Sequence, residues 1–330
     1  MSFAILLKLV AIFSVVALGW TAGRMRWLGE GDTARTLSMA AFHLFAPALL
    51  FRTTARIDLS AMPWSLLLAF FVPTLGFLLG AYLLERSRRT RGADPALAAL
   101  PAGPSVRAIS MTFGNTVQLG IPVAAALFGE AGLSLHLTIV SLHALAILVL
   151  VTVLVETDLA RVQAREQGVR PRLGPTLLST VRATVIHPVV LPVLAGLAWN
   201  AAGLKLASLV DETLLMLSQA VVPVCLVIIG LALERHGVRG AWRGALRVGV
   251  AKLLVLPALV LVAGRWGAGL HGMALATLVM CAALPPGSNA LLFAQRYQTL
   301  EGEVSAATVL ATFAFVLTAP LWLMVVGLVG

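Results

Sequence analysis

The stretch Gly114-Asn115-Thr116-Val117-Gln118-Leu119-Gly120-Ile121-Pro122 interrupts an apolar segment long enough to span a bilayer. A second interruption, Ala283-Leu284-Pro285-Pro286-Gly287-Ser288-Asn289, lies in the other half of the chain in similar surroundings. Each puts glycine, proline and amide side chains where a spanning helix is expected to be uniformly apolar. Backbone groups left unpaired in hydrocarbon are costly, so irregular backbone survives at membrane depth only where protein buries it or where it lines a wet cavity. One break in each half of a chain is the pattern of a transporter binding site.

The composition agrees. Of 330 residues, 59% are hydrophobic and 12% charged, against about 25% charged in soluble domains. The sequence predicts an all-α integral membrane protein of ten transmembrane helices, at roughly 20 residues each. They fall at 3–23, 37–53, 64–84, 105–128, 134–155, 184–202, 213–233, 249–266, 272–295 and 304–328. Residues 1–155 form a first five-helix unit, 156–183 a polar cytoplasmic linker that is part amphipathic helix, and 184–330 a second unit. Lys8 ahead of the apolar run Leu9 to Leu18 resembles a signal peptide. The repeat requires that run as the first span, and this reading is adopted.

The repeat shows in the prolines. Pro47 in the second span matches Pro223 in the seventh, Pro73 in the third matches Pro257 in the eighth, and Pro122 in the fourth matches Pro285 in the ninth. Five spans is an odd number, so the second unit inserts upside down, giving a 5+5 inverted repeat in which the discontinuous fourth and ninth spans cross.

Net charge is +10. The arginines sit in short loops between spans, with almost no aromatic interleaving, which excludes nucleic acid as a partner and points to lipid headgroups. With the N-terminus outside, about seventeen basic residues fall on inner loops, among them Arg86, Arg88, Arg89, Arg161, Arg235 and Arg247, against four on outer loops: Arg52, Arg56, Lys205 and Arg265. Both termini are therefore expected to be extracytoplasmic. Cys225 and Cys281 lie within apolar spans and read as small buried residues.

At the breaks, Asn115, Gln118, Ser288 and Asn289 are uncharged donors, Gly114, Gly120 and Gly287 permit close backbone approach, and Pro122, Pro285 and Pro286 stop the helices. Two half-helix N-termini aimed into one space carry partial positive charge and suit an anion. Any one of these amides could equally be interhelical glue. All fourteen acidic residues lie in loops or at span ends, so no carboxylate is expected at mid-membrane. Coupling to Na+ would need amides and carbonyls, and coupling to H+ would need histidine; uncoupled movement is the third alternative. No cofactor or metal is called for. His43, His143 and His187 have two readings, packing or proton relay. Lys252 and Arg107, near the starts of the eighth and fourth spans, either snorkel to the interface or attract an anion. No His-Glu-x-x-His or Gly-x-Ser-x-Gly motif appears, so an enzyme is not expected.

These residues resemble the auxin efflux carrier family, which includes plant auxin exporters and bacterial permeases. Asn115 to Pro122 is similar to the family's fourth-helix crossover, opened by Asn and closed by Gly-Ile-Pro. Ala283 to Asn289, continuing through Phe293-Ala294-Gln295-Arg296-Tyr297, is similar to its ninth-helix crossover. The resemblance implies a fold like that of bile-acid/sodium symporters. Spans 1, 2, 6 and 7 would form a scaffold supporting a homodimer, and spans 3–5 and 8–10 a transport bundle moving as an elevator. It implies a secondary transporter of small organic anions in the bacterial inner membrane, with Asn115, Pro122 and Pro285 at the site. The chain lacks the large central loop of the plant proteins. Position 289 is Asn where plant members are apolar, which argues against auxin itself as the guest; small carboxylates such as malonate or malate are implied by the bacterial members. A sodium- or proton-coupled importer on the same fold is the alternative.

Overall fold

The computed structural model describes residues 3–29, 33–56, 63–117, 119–166, 190–236 and 242–329. All regular elements among them are helical. The first half contains α1 (Phe3–Arg24), α2 (Thr33–Ala40), α3 (Ala46–Ala55), α4 (Trp64–Thr90), the short α5 (Pro95–Ala98), α6 (Gly103–Thr112) and α7 (Gly120–Glu166). The second contains α8 (Val190–Ala201), α9 (Ser208–His236), α10 (Trp242–Val250), α11 (Leu256–Val262), α12 (Gly272–Ala283), α13 (Ser288–Arg296) and α14 (Glu301–Val329). A π-helical turn, Ala41–Phe45, joins α2 to α3, and another, Ala251–Val255, joins α10 to α11.

Among the described residues, six segments are long and apolar enough to cross a membrane: Thr33–Ala55, Trp64–Thr90, Val123–Ala164, Ser208–Ile228, Trp242–Gly267 and Glu301–Val329. Leu191–Ala201 and Gly272–Ala283 are shorter apolar helices. The predicted fourth and ninth spans are each cut in two by their breaks, and the start of the predicted sixth lies outside the described residues. Large apolar side chains face outward, Leu209 and Leu317 at 78% exposure and Leu328 at 86%. So much exposed apolar surface fits lipid, not water.

The prolines shape the helices as their chemistry requires. Pro257 has no N–H, so the Leu253 carbonyl one turn earlier has no helical donor. The π-helical turn Ala251–Val255 ends just before it, and the Trp322 indole N–H of α14 donates to that carbonyl at 2.7 Å. Helix α7 is interrupted at Gly129, whose φ of 62° and ψ of −160° belong to glycine. From there it runs to Glu166, past the predicted boundary at 155, because residues 133–166 contain neither glycine nor proline. The first part of the expected linker is thus helix, with Glu156 accepting from the Tyr297 hydroxyl and Asp158 from that of Tyr82, both at 2.9 Å. The remaining linker residues fall outside the described set.

Helix α1 packs on α9, and α3 on α8 and α9. Separately, α4 packs on α6 and α11, while α12 packs on α7, α11 and α14. Arg52 at the end of α3 donates to both carboxylate oxygens of Asp211 on α9, at 2.9 and 3.2 Å, and Arg56 reaches the same carboxylate. Two of the four basic residues expected on the outer side are therefore partly neutralised.

Candidate functional site

Helix α6 ends at Thr112 and the chain turns extended at Phe113, with φ −75° and ψ 105°. Helix α12 ends at Ala283. Leu284 precedes a proline and is forced out of the helical region, to φ −58° and ψ 144°. The two extended pieces then run antiparallel and pair at Gly114 and Pro286. The Asn115 N–H donates to the Pro285 carbonyl at 2.8 Å, and the Gly287 N–H to the Phe113 carbonyl at 2.9 Å. Each break thereby satisfies backbone groups that the other has freed. Beyond the crossing, α7 starts at Gly120 and α13 at Ser288.

A small cavity of about 60 Å³ opens against this crossing. One wall is the crossover itself, with Asn115, Thr116, Ser288 and Asn289. The opposite wall comes from the π-helical turn and α3 together with Val221 of α9. His143 of α7 completes the floor. It is 1% exposed, its ring centroid is 4.5 Å from that of Phe113, and its Nε2 has no hydrogen-bond partner among the described residues. Among the described residues, no arginine, lysine or carboxylate side chain is part of this lining. A second cavity of about 270 Å³ is lined by Arg35, His43, Gln295 and Arg296, and Leu292 forms part of both walls.

Of the residues singled out in the sequence, Asn115, Gly287, Ser288, Asn289 and His143 line the first cavity. Pro285 supplies a carbonyl to the crossing, and Pro122 lies in the first turn of α7. Gln118 and His187 lie outside the described residues. His43 lies on the second cavity, its Nδ1 3.0 Å from the Met39 carbonyl.

Two placements differ from expectation. Arg107 neither snorkels nor faces the cavity. It is 2% exposed and holds Glu303 through two bonds, at 2.6 and 2.8 Å, while its Nη1 reaches Glu85 at 2.9 Å and Asp94 at 2.6 Å. Arg88 and Arg247 add further bonds to Glu85 and Asp94. Five donors in a planar fork suit this shared arrangement, which fastens α4, α5, α6, α10 and α14 together. Burial pushes the Asp94 carboxyl up, but hydrogen bonds from Arg107 and Arg247 outweigh it and hold that carboxyl below its usual range. Lys252, expected to snorkel, is fully buried behind the crossing and donates to the Ala282 carbonyl. The backbone bend at the π-helical turn and the nearby end of α12 give its ammonium an internal partner in place of water.

His136 was not anticipated. Its Nε2 lies 2.7 Å from the Thr116 carbonyl and clamps the crossover strand. Its position seven residues before His143, two turns along one helix face, was the available signal.

The sequence profile of the family described as membrane transport protein matches residues 4–323. The uncharacterized transporter YfdV of Escherichia coli K12 is 26% identical over 326 residues, covering 98% of each chain. An uncharacterized transporter of Methanothermobacter thermautotrophicus is 26% identical over 314 residues, covering 95% of each. The chain belongs to this membrane transport family, the auxin efflux carrier family that its two crossovers resemble.

Proposed function

We propose that this protein is a secondary transporter that exports small organic anions, with Asn115, Ser288, Asn289 and the Gly287 backbone forming the substrate site. The observation that carries this is the cavity between the crossing and the α3 and α9 wall. It has a polar end built from amides and a hydroxyl and an apolar body, the make-up of a small-molecule site. In this reading Gln118, Pro122 and Pro285 belong to the same site, and the basic cavity around Arg35 and Arg296 gathers anions on the inner side.

The larger architecture follows the same reading. Ten spans form an inverted 5+5 repeat, with spans 1, 2, 6 and 7 as a dimerising scaffold and spans 3–5 and 8–10 as a bundle that moves as an elevator. In this reading the cavity lies between scaffold and bundle, since residues of spans 2 and 7 and residues of spans 4, 5 and 9 all line it. The protein sits in the inner membrane with both termini outside and its arginine-rich loops against anionic lipid. A potential of 100 mV is worth about 2.3 kcal/mol per charge, and about 1.4 kcal/mol is tenfold. An inside-negative membrane of that size expels a monoanion nearly fiftyfold with no coupling ion.

The test is a thermal-shift screen of mono- and dicarboxylates on the purified protein, since a bound ligand stabilises the fold. Potential-driven efflux of the hits from proteoliposomes, with sodium replaced by choline, follows. Efflux that persists without sodium is expected. Efflux that stops assigns the protein to the sodium-coupled class, and loss of efflux only when the proton gradient is collapsed assigns it to the proton-coupled class.

A further inference from the structure

Lys252 is fully buried. It sits in the π-helical turn Ala251–Val255, a distortion often found at functional sites. Among the described residues no carboxylate pairs with it. Its ammonium donates to the Ala282 carbonyl, one of the last carbonyls of α12, at the helix end that favours a cation. On its far side lies Gly114: a side chain begun there would come within 3.5 Å of Nζ. Gly114 also lines the substrate cavity, so one glycine's backbone separates the ammonium from the guest.

An ionisable group inside a membrane protein marks a functional site whose partner must be named. A buried charge without a counter-ion is strongly destabilising. The carboxylates nearest in kind, Glu85, Asp94 and Glu303, are already committed to Arg107.

We propose that the counter-ion of Lys252 is the transported anion itself, held from behind across the Gly114 backbone. This rests on the reading of the cavity as an anion site. Lys252 is then a positioning residue that sets the preference for an anion over a neutral guest. Its charge also decides what the membrane potential acts on. The site carries +1 through Lys252 when empty and zero when loaded with a monoanion, so the potential drives the empty return, and exchange of one monoanion for another is insensitive to voltage.

The competing reading is that Lys252 only caps α12. Lys252→Gln keeps a donor for the Ala282 carbonyl and removes the charge; Lys252→Met removes both. The probes are benzoate, or the tightest-binding monocarboxylate of the thermal-shift screen, and its primary amide. In wild type the carboxylate is expected to bind at least tenfold tighter than the amide, about 1.4 kcal/mol, and both variants are expected to lose that preference. A ratio unchanged in Lys252→Gln overturns the proposal. If neither variant folds, exchange by wild-type proteoliposomes decides: a rate that changes more than twofold on imposing 100 mV also overturns it. Wild-type protein that binds no carboxylate removes the anion-site reading itself, whereas carboxylate binding with an unchanged ratio removes only the role of Lys252.

Discussion

Gly287 and Gly114 touch backbone to backbone, and a Cβ on Gly287 would stand 2.7 Å from the Gly114 carbonyl oxygen. Because the obstacle is backbone, the strain cannot be relieved by a rotamer change. Gly287→Ala is expected to cost about 1–3 kcal/mol, as overpacking does, and to lower transport several-fold. Gly287→Val should abolish transport. Thermal unfolding and efflux measured on the same preparations check both, and an alanine variant of normal stability would show that the crossing is looser than its geometry.

Asn115 contributes to the crossing through its backbone N–H and is one of the residues that line the cavity. Asn115→Ala therefore leaves the N–H to Pro285 in place and removes only the amide. Asn289 lines the same cavity from the first turn of α13. Each substitution is expected to weaken carboxylate affinity by about tenfold, the loss of one hydrogen bond to a charged group, with unfolding temperature changed little. Normal affinity in both variants would make the amides packing groups.

How far the sequence could be read depended on the range of the interactions. The two breaks were legible because their causes are local: Leu284 must leave the helix before Pro285, and Gly114 and Gly287 accept close contact. That the broken spans pair was inferable from the need to satisfy freed backbone groups. Arg107 was not legible. Its carboxylates lie 22, 13 and 196 residues away, and nothing within its own segment separates a snorkelling arginine from a buried one. The burial of Lys252 was not legible for the same reason, since its carbonyl partner is 30 residues distant. His136 was overlooked because a histidine on an apolar helix face has no local mark of what it will clamp.

The arginine cluster makes a prediction about pH. The Asp94 carboxyl is held below its ordinary value in the folded protein. A carboxylate of that kind contributes stability that is complete above its unfolded pKa, about 3.9, and is lost as pH falls through the lower folded value. Unfolding temperature should therefore hold steady from pH 7 down to about 4 and fall below that, in part through this carboxylate. Asp94→Asn should lower stability at pH 7 and flatten the acid limb. An acid limb of unchanged steepness in the variant would place the sensitivity elsewhere.

The same cluster predicts a larger loss from its centre. Arg107→Met leaves Glu85, Asp94 and Glu303 buried side by side without their shared cation. Breaking a buried pair by removing one partner costs about 3–5 kcal/mol; Glu85 and Asp94 keep Arg88 and Arg247, while Glu303 loses its cation. The variant is expected to be recovered poorly from detergent at pH 7. Pairing it with Glu303→Gln should restore part of the stability, because the stranded charge is gone. Unfolding temperatures of the two single variants and the double variant check this, and additive losses would show that Arg107 and Glu303 do not act as a unit.

The bond from Trp322 to the Leu253 carbonyl can be isolated by a substitution cycle. Trp322→Phe keeps a ring in the space and leaves that carbonyl buried and unpaired, a loss of about 1–3 kcal/mol. The carbonyl lacks a helical donor only because residue 257 is proline. Pro257→Ala supplies an N–H at the position four residues on, so in that background Trp322→Phe should cost clearly less. Equal losses in the two backgrounds would mean that the indole stabilises α14 by packing alone.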